Sequence, residues 1–477
     1  MGMEEANHQC GVCVTHTLHD NHNFLKSLQH RGRDAVGMAA IGDERIDVIK
    51  WLGEASEFDI FDLHKLLPSK HYHTYFGHVR YATRGGKEGG VEALLSEAHP
   101  QVLGGRAEYR NNHVLIRNCE AAMVHNGQVD NSFLCDVPRD MLKTTCDTEA
   151  LLWFYQQHGE KELMRRIPGA YTLAITDKRK KEAMVLRDCH GIRPGVLGLK
   201  DGKFCVASED VALLENGGHF YEDLMPGAVY YLEPRGTYRI ETVLSPQARR
   251  CFFEWNYIGD THAIIDGASV RVIRSLLGAA LAEEFRPVDA ELVTFLPRCP
   301  EMAAIGYARK AGLPFAPVFY KKKGQRAFQG PTMDERRKSI ETNLYLLDEA
   351  LPFISGKTII VIDDSLVRGI NARHARRLLC EQGNVKKVYL ANYTPPLGII
   401  GEDGIPRGCL FGVDMPPEEN EHHSFIARNR TLEQISEQIG MQVVYLSRER
   451  MLKVFESVGL PQHMLCTYCT GGRHPFT

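Results

Sequence analysis

What the chain lacks narrows it first. No apolar run approaches the roughly 18 residues that a membrane-spanning helix needs, so a bilayer span is not expected. No arm or segment is strongly basic: 57 Lys and Arg stand against 60 Asp and Glu, a formal net charge of -3. That balance argues against a general nucleic-acid surface. Internal repeats and low-complexity segments are also absent. The opening "MGMEEANHQ" is acidic and polar and does not read as a signal peptide. Ala6 stands where myristoylation wants Ser or Thr. These absences point to the cytoplasm. They also make a disulfide framework unexpected for the 13 cysteines, an odd number, and give metal or catalytic roles more weight. Cys119, Cys135, Cys205 and Cys380 read as plain buried thiols, packing as small hydrophobes.

What is present describes an ordinary soluble protein, 43% apolar and 25% charged, with 477 residues for two or three domains. From residue 10 to about 240, short alternating strands are broken by Gly-rich turns: "GVCVTHTL", "HTYFGHVRYA", "AYTLAITD", "EAMVLRD", "AVYYLEP". That spacing predicts packed antiparallel sheets. From about 250 to 450, helical patterns such as "SVRVIRSLLGAALAEEF" alternate with buried strands, "ELVTFLP", "TIIVIDD", "KKVYLANY" and "MQVVYLS". Such alternation predicts an α/β unit with a parallel sheet. The boundary is expected near Val243 to Arg250.

The stretch "KTIIVIDDSLVRGINARHA" concentrates chemistry in the second block. A β-branched run ends in Asp363 and Asp364, a loop with Gly369 follows, and Ala372 to Gln382 looks helical. In an open parallel sheet, ligands sit outside the carboxyl ends of the strands. A glycine turn there exposes N–H groups, and the next helix adds its positive end, which suits phosphate. Two acids beside a phosphate need sugar hydroxyls or a metal ion to explain them. A ligand with a ribose diol and phosphates meets every requirement. An acidic strand end that merely caps the next helix is the plainer alternative.

"VIDDSLVRG" resembles the phosphoribosyl-pyrophosphate loop of type I phosphoribosyltransferases, most closely that of the glutamine phosphoribosylpyrophosphate amidotransferase family. The resemblance gives Asp363 and Asp364 the ribose hydroxyls, and Ser365 to Asn371, with Arg368 and Gly369, the 5-phosphate. "FFEWNYIG", "IDGASVRVIR", "IGYARKAGLPF" and "ERRKSI" extend it, and Arg326 is retained in the flexible-loop segment "KKKGQRAFQGP".

The first block carries the other half of the resemblance, an N-terminal-nucleophile amidotransferase domain. Such an enzyme needs a nucleophile, an oxyanion hole and a clamp for the amino-acid head group. Cys10 stands immediately before a strand as nucleophile. Arg80 in "GHVRYAT" is able to grip a carboxylate bidentately. Asn126 and Gly127 in "VHNGQV" offer an amide and a backbone N–H for an oxyanion hole. Asp147 in "TCDTEA" is an anion for the substrate ammonium. "HRGRDAVG", "GAYTLAI", "RDCHGIRPGVLG" and "ASED" accompany them. In this family the α-amino group of the cysteine is its own base, and a peptide nitrogen with a delocalised lone pair cannot serve. Residues 1–9 therefore read as a propeptide. His30, His78 and His125 read as structural hydrogen-bonding residues.

Cys466 and Cys469 form a C-x-x-C pair near the C-terminus, which alone suits redox or metal chemistry. In the iron–sulfur branch of the resembled family, that pair is joined by cysteines at the positions of Cys251 and Cys409. The resemblance implies a structural [4Fe–4S] cluster on the four thiolates, with zinc as the alternative for a set of four cysteines.

The implied layout is a propeptide over 1–9 and an α/β/β/α-sandwich amidotransferase domain over 10–245. A type I phosphoribosyltransferase-like domain follows over 250–450, then a cluster-binding tail over 451–477. Glutamine, phosphoribosyl pyrophosphate, Mg²⁺ and a homo-oligomer are the expected partners, with no nucleic acid and no membrane. Several positions depart from the family pattern. Ile370 and Asn371 stand where hydroxyls follow the "RG", "LPRCPEM" (Leu296 to Met302) replaces the pyrophosphate turn, and "GDTHA" (Gly259 to Ala263) an "ARPDS"-like segment. In the first block, Arg33 replaces a glutamine, and "EAHP" (Glu97 to Pro100) an "NAQP"-like turn. The leading expectation is an amidophosphoribosyltransferase. The alternatives are a diverted relative that supplies nitrogen or sulfur to another nucleotide acceptor or a partner enzyme in antimetabolite (thiopurine-like) synthesis, and a non-catalytic nucleotide-binding regulator.

Overall fold

The computed structural model describes residues 10–81, 90–129, 137–180, 182–321, 343–413, 415–418 and 424–476. The expected propeptide, Cys135 and Arg326 lie outside these residues. The chain divides into two units. One holds the described residues up to Glu254 together with Ile258–Gly267, and the other holds Trp255–Tyr257 and the described residues from Ala268.

The first unit is built on antiparallel pairing, as the alternating segments predict. Strands form at Gly11–Thr15, Thr74–Arg80, Gly169–Asp177, Ala183–Arg187 and Ala228–Leu232, inside the segments named above. Side chains on a strand alternate between faces, and that alternation sorts this unit into layers. Val12 and Val14 enter one core while Cys13 enters another. On the long strand His113–Val129, Ala122 and Val124 join the core of Val12, while Ala121 and Met123 face a third. Two sheet layers thus share one core, and helices cover their outer faces. Leu18, Phe24 and Leu25 of the helix Leu18–Ser27 pack around Cys13. Leu151, Phe154 and Tyr155 of the helix Asp147–Arg166 pack around Met123. The result is the expected helix–sheet–sheet–helix sandwich.

In the second unit, Leu292–Phe295, Thr358–Asp363, Lys387–Asn392 and Gln442–Tyr445 form a four-stranded parallel sheet in that order. Thr358–Asp363 is buried at every residue, which is why it reads as a continuous apolar run. Helices Val270–Glu284 and Glu301–Ala311 cross very closely. A Cβ on Gly278 would lie 1.8 Å from Ala303 O, and one on Gly306 2.0 Å from Ser275 O, so both positions need glycine. The helix after the acidic strand starts earlier than its pattern predicts, at Ile370, and runs to Arg377 before a wider turn over Leu378–Gln382. That turn buries Leu378 and Leu379 and leaves Cys380 exposed. The expectation of a buried Cys380 is thereby corrected, because its side chain lies on the outer face of the turn. Cys119 and Cys205 are buried. No helix among the described residues is long and apolar enough to cross a membrane.

Candidate functional site

Cys10 is half-buried at the mouth of the first strand, with Sγ 3.8 Å from Tyr81 O. Its carbonyl accepts Arg31 Nε at 3.1 Å. Arg31 is fully buried and paired with Glu209, and with Glu254 at 3.0 Å, while Arg193 reaches the other Glu254 oxygen at 3.1 Å. This network fixes the main chain that presents the thiol. Burial pushes the Cys10 thiol up, only partly offset by its hydrogen bond to the Tyr81 carbonyl and by the Arg80, Arg193 and Arg31 guanidiniums. Cys13 differs: it is fully buried, takes a contact from Asn21 Nδ2 at 3.5 Å, and burial drives its thiol far up.

Arg80 ends the strand Thr74–Arg80. Gly11 lies opposite Val79 in the antiparallel register, which puts Cys10 and Arg80 at the same end of the sheet. Asn126 Nδ2 is 3.5 Å from Ser208 Oγ, and the same hydroxyl accepts Val12 N–H at 2.9 Å. Ser208 therefore ties Asn126 to the strand that begins beside Cys10. Asn126 Oδ1 is buried without a hydrogen-bond partner, an exception that calls for a ligand or water donor. Gly127 has φ +150°, and a Cβ there would sit 1.8 Å from Ala170 O. Only glycine fits that position.

Asp147 opens the helix Asp147–Arg166, where the positive helix end favours a carboxylate. Its Oδ2 accepts Val129 N–H at 3.0 Å, and Oδ1 takes the Thr148 hydroxyl at 3.2 Å. Burial alone would raise this carboxyl; the His125 Nδ1–H, 3.6 Å from Oδ1, and these hydrogen bonds outweigh it and hold it low. Behind it lie three buried imidazoles. His78 stacks on His99 at 4.1 Å between centroids and donates to the His125 carbonyl at 3.0 Å. Burial lowers His78 to about 3 and His99 well below its usual value, so both are neutral. Hydrogen bonding, the role expected of His78 and His125, is what the structure finds; His30 likewise bonds Glu209 at 3.0 Å.

In the second unit the two acids end the central strand. Asp364 N–H caps Asp363 Oδ1 at 3.0 Å, and the Ser365 hydroxyl donates to Asp364 Oδ2 at 2.7 Å. Burial pushes the Asp364 carboxyl up. Gly369 has φ +76° and starts the next helix, so the Ser365–Gly369 loop leads directly into a helix N-terminus. The altered turn joins the same sheet end: Leu296 N–H donates to Ile362 O at 3.0 Å. Within it, Cys299 Sγ lies 3.3 Å from Asn256 O and 3.4 Å from the Tyr393 hydroxyl, and burial pushes this thiol up to about 12. Asn392, paired in register with Asp363, and Asn256 each bury an Oδ1 without a partner. This end of the sheet is therefore lined by two carboxylates and orphaned amide acceptors.

Cys466 and Cys469 are buried in the second unit, and Cys409 is half-buried there, while Cys251 falls in the first unit. Cys409 Sγ accepts N–H groups from Phe411 and Val413, each at 3.4 Å. Such donors stabilise a thiolate. Among the described residues, no three His, Cys, Asp or Glu side chains are grouped so as to hold a metal ion.

Sequence reading gives no role to Ser208, Arg31, Glu209, Glu254, Arg193, Thr148 or His99. Their roles depend on long-range partners, such as the 178 positions separating Arg31 from Glu209. A buried arginine in "HRG" and the acid in "ASED" are the only local hints.

Residues 113–233 match a family model described as a glutamine amidotransferase domain. An amidophosphoribosyltransferase of Mycobacterium tuberculosis is 31% identical, across 94% of this chain and 82% of that protein. One from Methanothermobacter thermautotrophicus is 27% identical, across 100% of this chain and 96% of its own. Among solved structures, the glutamine phosphoribosylpyrophosphate amidotransferase of B. subtilis, complexed with ADP and GMP, superposes with a TM-score of 0.79 at 25% identity, covering 98% of this chain and 97% of that one. A structure described as the allosteric regulatory enzyme of purine biosynthesis gives 0.79 at 26% identity, covering 98% and 96%.

Proposed function

The chain belongs to the amidophosphoribosyltransferase family, and from that premise we propose how its residues divide the reaction. It is a glutamine amidotransferase that releases ammonia from glutamine and transfers it to C1 of phosphoribosyl pyrophosphate, displacing pyrophosphate and giving phosphoribosylamine, the first step of purine synthesis. The observation that carries this reading is a likeness running through both halves, at 31% identity over 94% of the chain. The same likeness does not favour the diverted-relative or regulator readings.

In the first half, Cys10 Sγ attacks the glutamine amide carbon. Asn126 Nδ2 and Gly127 N–H receive the oxyanion, and electrostatic stabilisation of this kind is worth roughly 10²–10³ in rate per donor. The C–N bond breaks, ammonia leaves with a proton returned by the Cys10 amine, and water hydrolyses the thioester to glutamate. Arg80 holds the substrate carboxylate and Asp147 its ammonium. Removal of residues 1–9 frees the amine, and domain limits at 10–245, 250–450 and 451–477 follow the same reading. In the second half, Asp363 and Asp364 hold the ribose hydroxyls, Ser365, Arg368 and Gly369 the 5-phosphate, and Arg326 is a further substrate-binding residue; Mg²⁺ would balance the charge of the pyrophosphate. A homo-oligomer in the cytoplasm completes the proposal.

A [4Fe–4S] cluster on Cys251, Cys409, Cys466 and Cys469 belongs to this proposal as a structural group. Its support is the four-thiol set and the paired N–H donors on Cys409. Anaerobically purified protein should be brown with about four irons per chain; a colourless protein with one zinc would replace the cluster with a zinc site. The test of the activity is glutamate and pyrophosphate release from glutamine and phosphoribosyl pyrophosphate with Mg²⁺. Release of neither overturns the reading.

A further inference from the structure

The imidazoles behind Asp147 take no part in the chemistry above, and one of them, His99, belongs to the divergent turn Glu97 to Pro100. Its Nε2 lies 2.8 Å from Thr148 Oγ1, and His125 Nδ1 lies 2.9 Å from the same oxygen. His99 Nδ1 and His125 Nε2 are buried without partners. Orphaned buried N–H groups are rare, orphaned acceptors somewhat less so, so we place each ring's proton on the nitrogen that has a partner, the one facing Thr148. Both imidazoles then donate to the hydroxyl and fill its two lone pairs. The single Thr148 proton then goes to Asp147 Oδ1 at 3.2 Å, an ionised carboxylate being a better acceptor than the neighbouring Cys146 thiol. Val129 N–H occupies the other carboxylate oxygen at 3.0 Å, so Asp147 is held at both. Glu97, from the same turn, accepts Thr145 N–H at 2.7 Å and the Thr145 hydroxyl at 3.2 Å, steadying the segment that leads into Asp147.

We propose that His99 is a positioning residue for the glutamine head group: through Thr148 it aims the Asp147 carboxylate at the substrate ammonium, with Glu97 bracing the approach. The inference rests on the assignment of Asp147 to that ammonium. Such a residue governs discrimination for the α-amino group and leaves the attack on the amide alone.

The test compares kcat/KM for glutamine with that for its deamino analogue, 4-carbamoylbutanoate, by ammonia release from the chain processed to begin at Cys10. His99→Leu should lower the glutamine value about tenfold, mainly through KM, and leave the analogue's value unchanged. The preference for glutamine then shrinks by the same factor. His99→Gln, which offers an amide donor in place of Nε2–H, should keep most of the preference. If His99→Leu does not fold, Thr148→Val removes the relayed proton and should shrink the preference likewise. Equal losses on both substrates, or an undiminished preference, would overturn the role of His99. Asp147→Asn separates the two levels. If it abolishes the preference while His99→Leu leaves it intact, only the positioning role falls. If Asp147→Asn leaves the preference intact, the ammonium assignment falls and the inference with it.

Discussion

The Cys10 end of the first unit and the Asp363 end of the second keep their chemistry in different ways. Around Cys10, the groups that carry the chemistry are tied into a wider frame: Arg31 holds the Cys10 carbonyl, Ser208 ties Asn126 to the first strand, and Val129 holds Asp147. Around Asp363, the acids and Gly369 are in place, but Ile370 and Asn371 stand in the first turn of the helix that follows. Cys299 fills the altered turn with a thiol bound to main-chain carbonyls. The difference teaches that the ammonia-producing half is constrained by a shared buried network, where one change disturbs several partners. In the other half, the departures from the resembled family lie in loops and at helix starts, and both acids stand at the end of the buried central strand.

The largest expected effect sharpens the first side of this contrast. Cys10→Ser should cut glutamate release by a factor on the order of 10³ to 10⁶. Cys13→Ser, three positions along in the core, should keep most activity and lose about 1 kcal/mol of stability. Similar losses of activity in both variants would break the distinction between a reactive and a packing thiol. Next in size, Gly127→Ala should drop kcat by about 10² or more, because a Cβ there would meet Ala170 O at 1.8 Å and the strand must shift. An alanine variant with native kinetics would show that this backbone position is not held by its partner strand.

On the other side, Asp363→Asn/Asp364→Asn should weaken phosphoribosyl pyrophosphate binding by about 100-fold or more. Each lost charged hydrogen bond is worth roughly 1.5–3 kcal/mol. Binding that survives the double change would leave the acids with the plainer role of capping the next helix. The smallest effect is a gain. Ile370→Thr/Asn371→Thr restores two hydroxyls beside the Gly369 turn and should tighten binding about tenfold. No gain would mean that Arg298 or Arg373 already supplies the missing donors.

How legible each side was in the sequence follows the same division. The parallel sheet could be read because its central strand is buried on both faces and so appears as an unbroken apolar run, "TIIVIDD", between shorter apolar segments. Cys10, Arg80, Asn126, Gly127 and Asp147 could be named because each lies in a short motif. The frame around them could not, since Arg31, Glu209 and Glu254 meet only after the chain has folded. His99 could be flagged as a departure but not given a role, because its partner Thr148 is 49 positions away. Cys380 was misjudged because cysteine's general preference for burial says nothing about which face of a helical turn it occupies.

The most direct test of the central claim, that the altered Asp363 site still binds and turns over the substrate of its family, is calorimetric titration of the wild-type chain with phosphoribosyl pyrophosphate and Mg²⁺, followed by glutamine. Saturable heat, then pyrophosphate released in step with glutamate, is the predicted result. Glutamate released without either heat or pyrophosphate would contradict the claim and leave a glutaminase whose acceptor lies elsewhere.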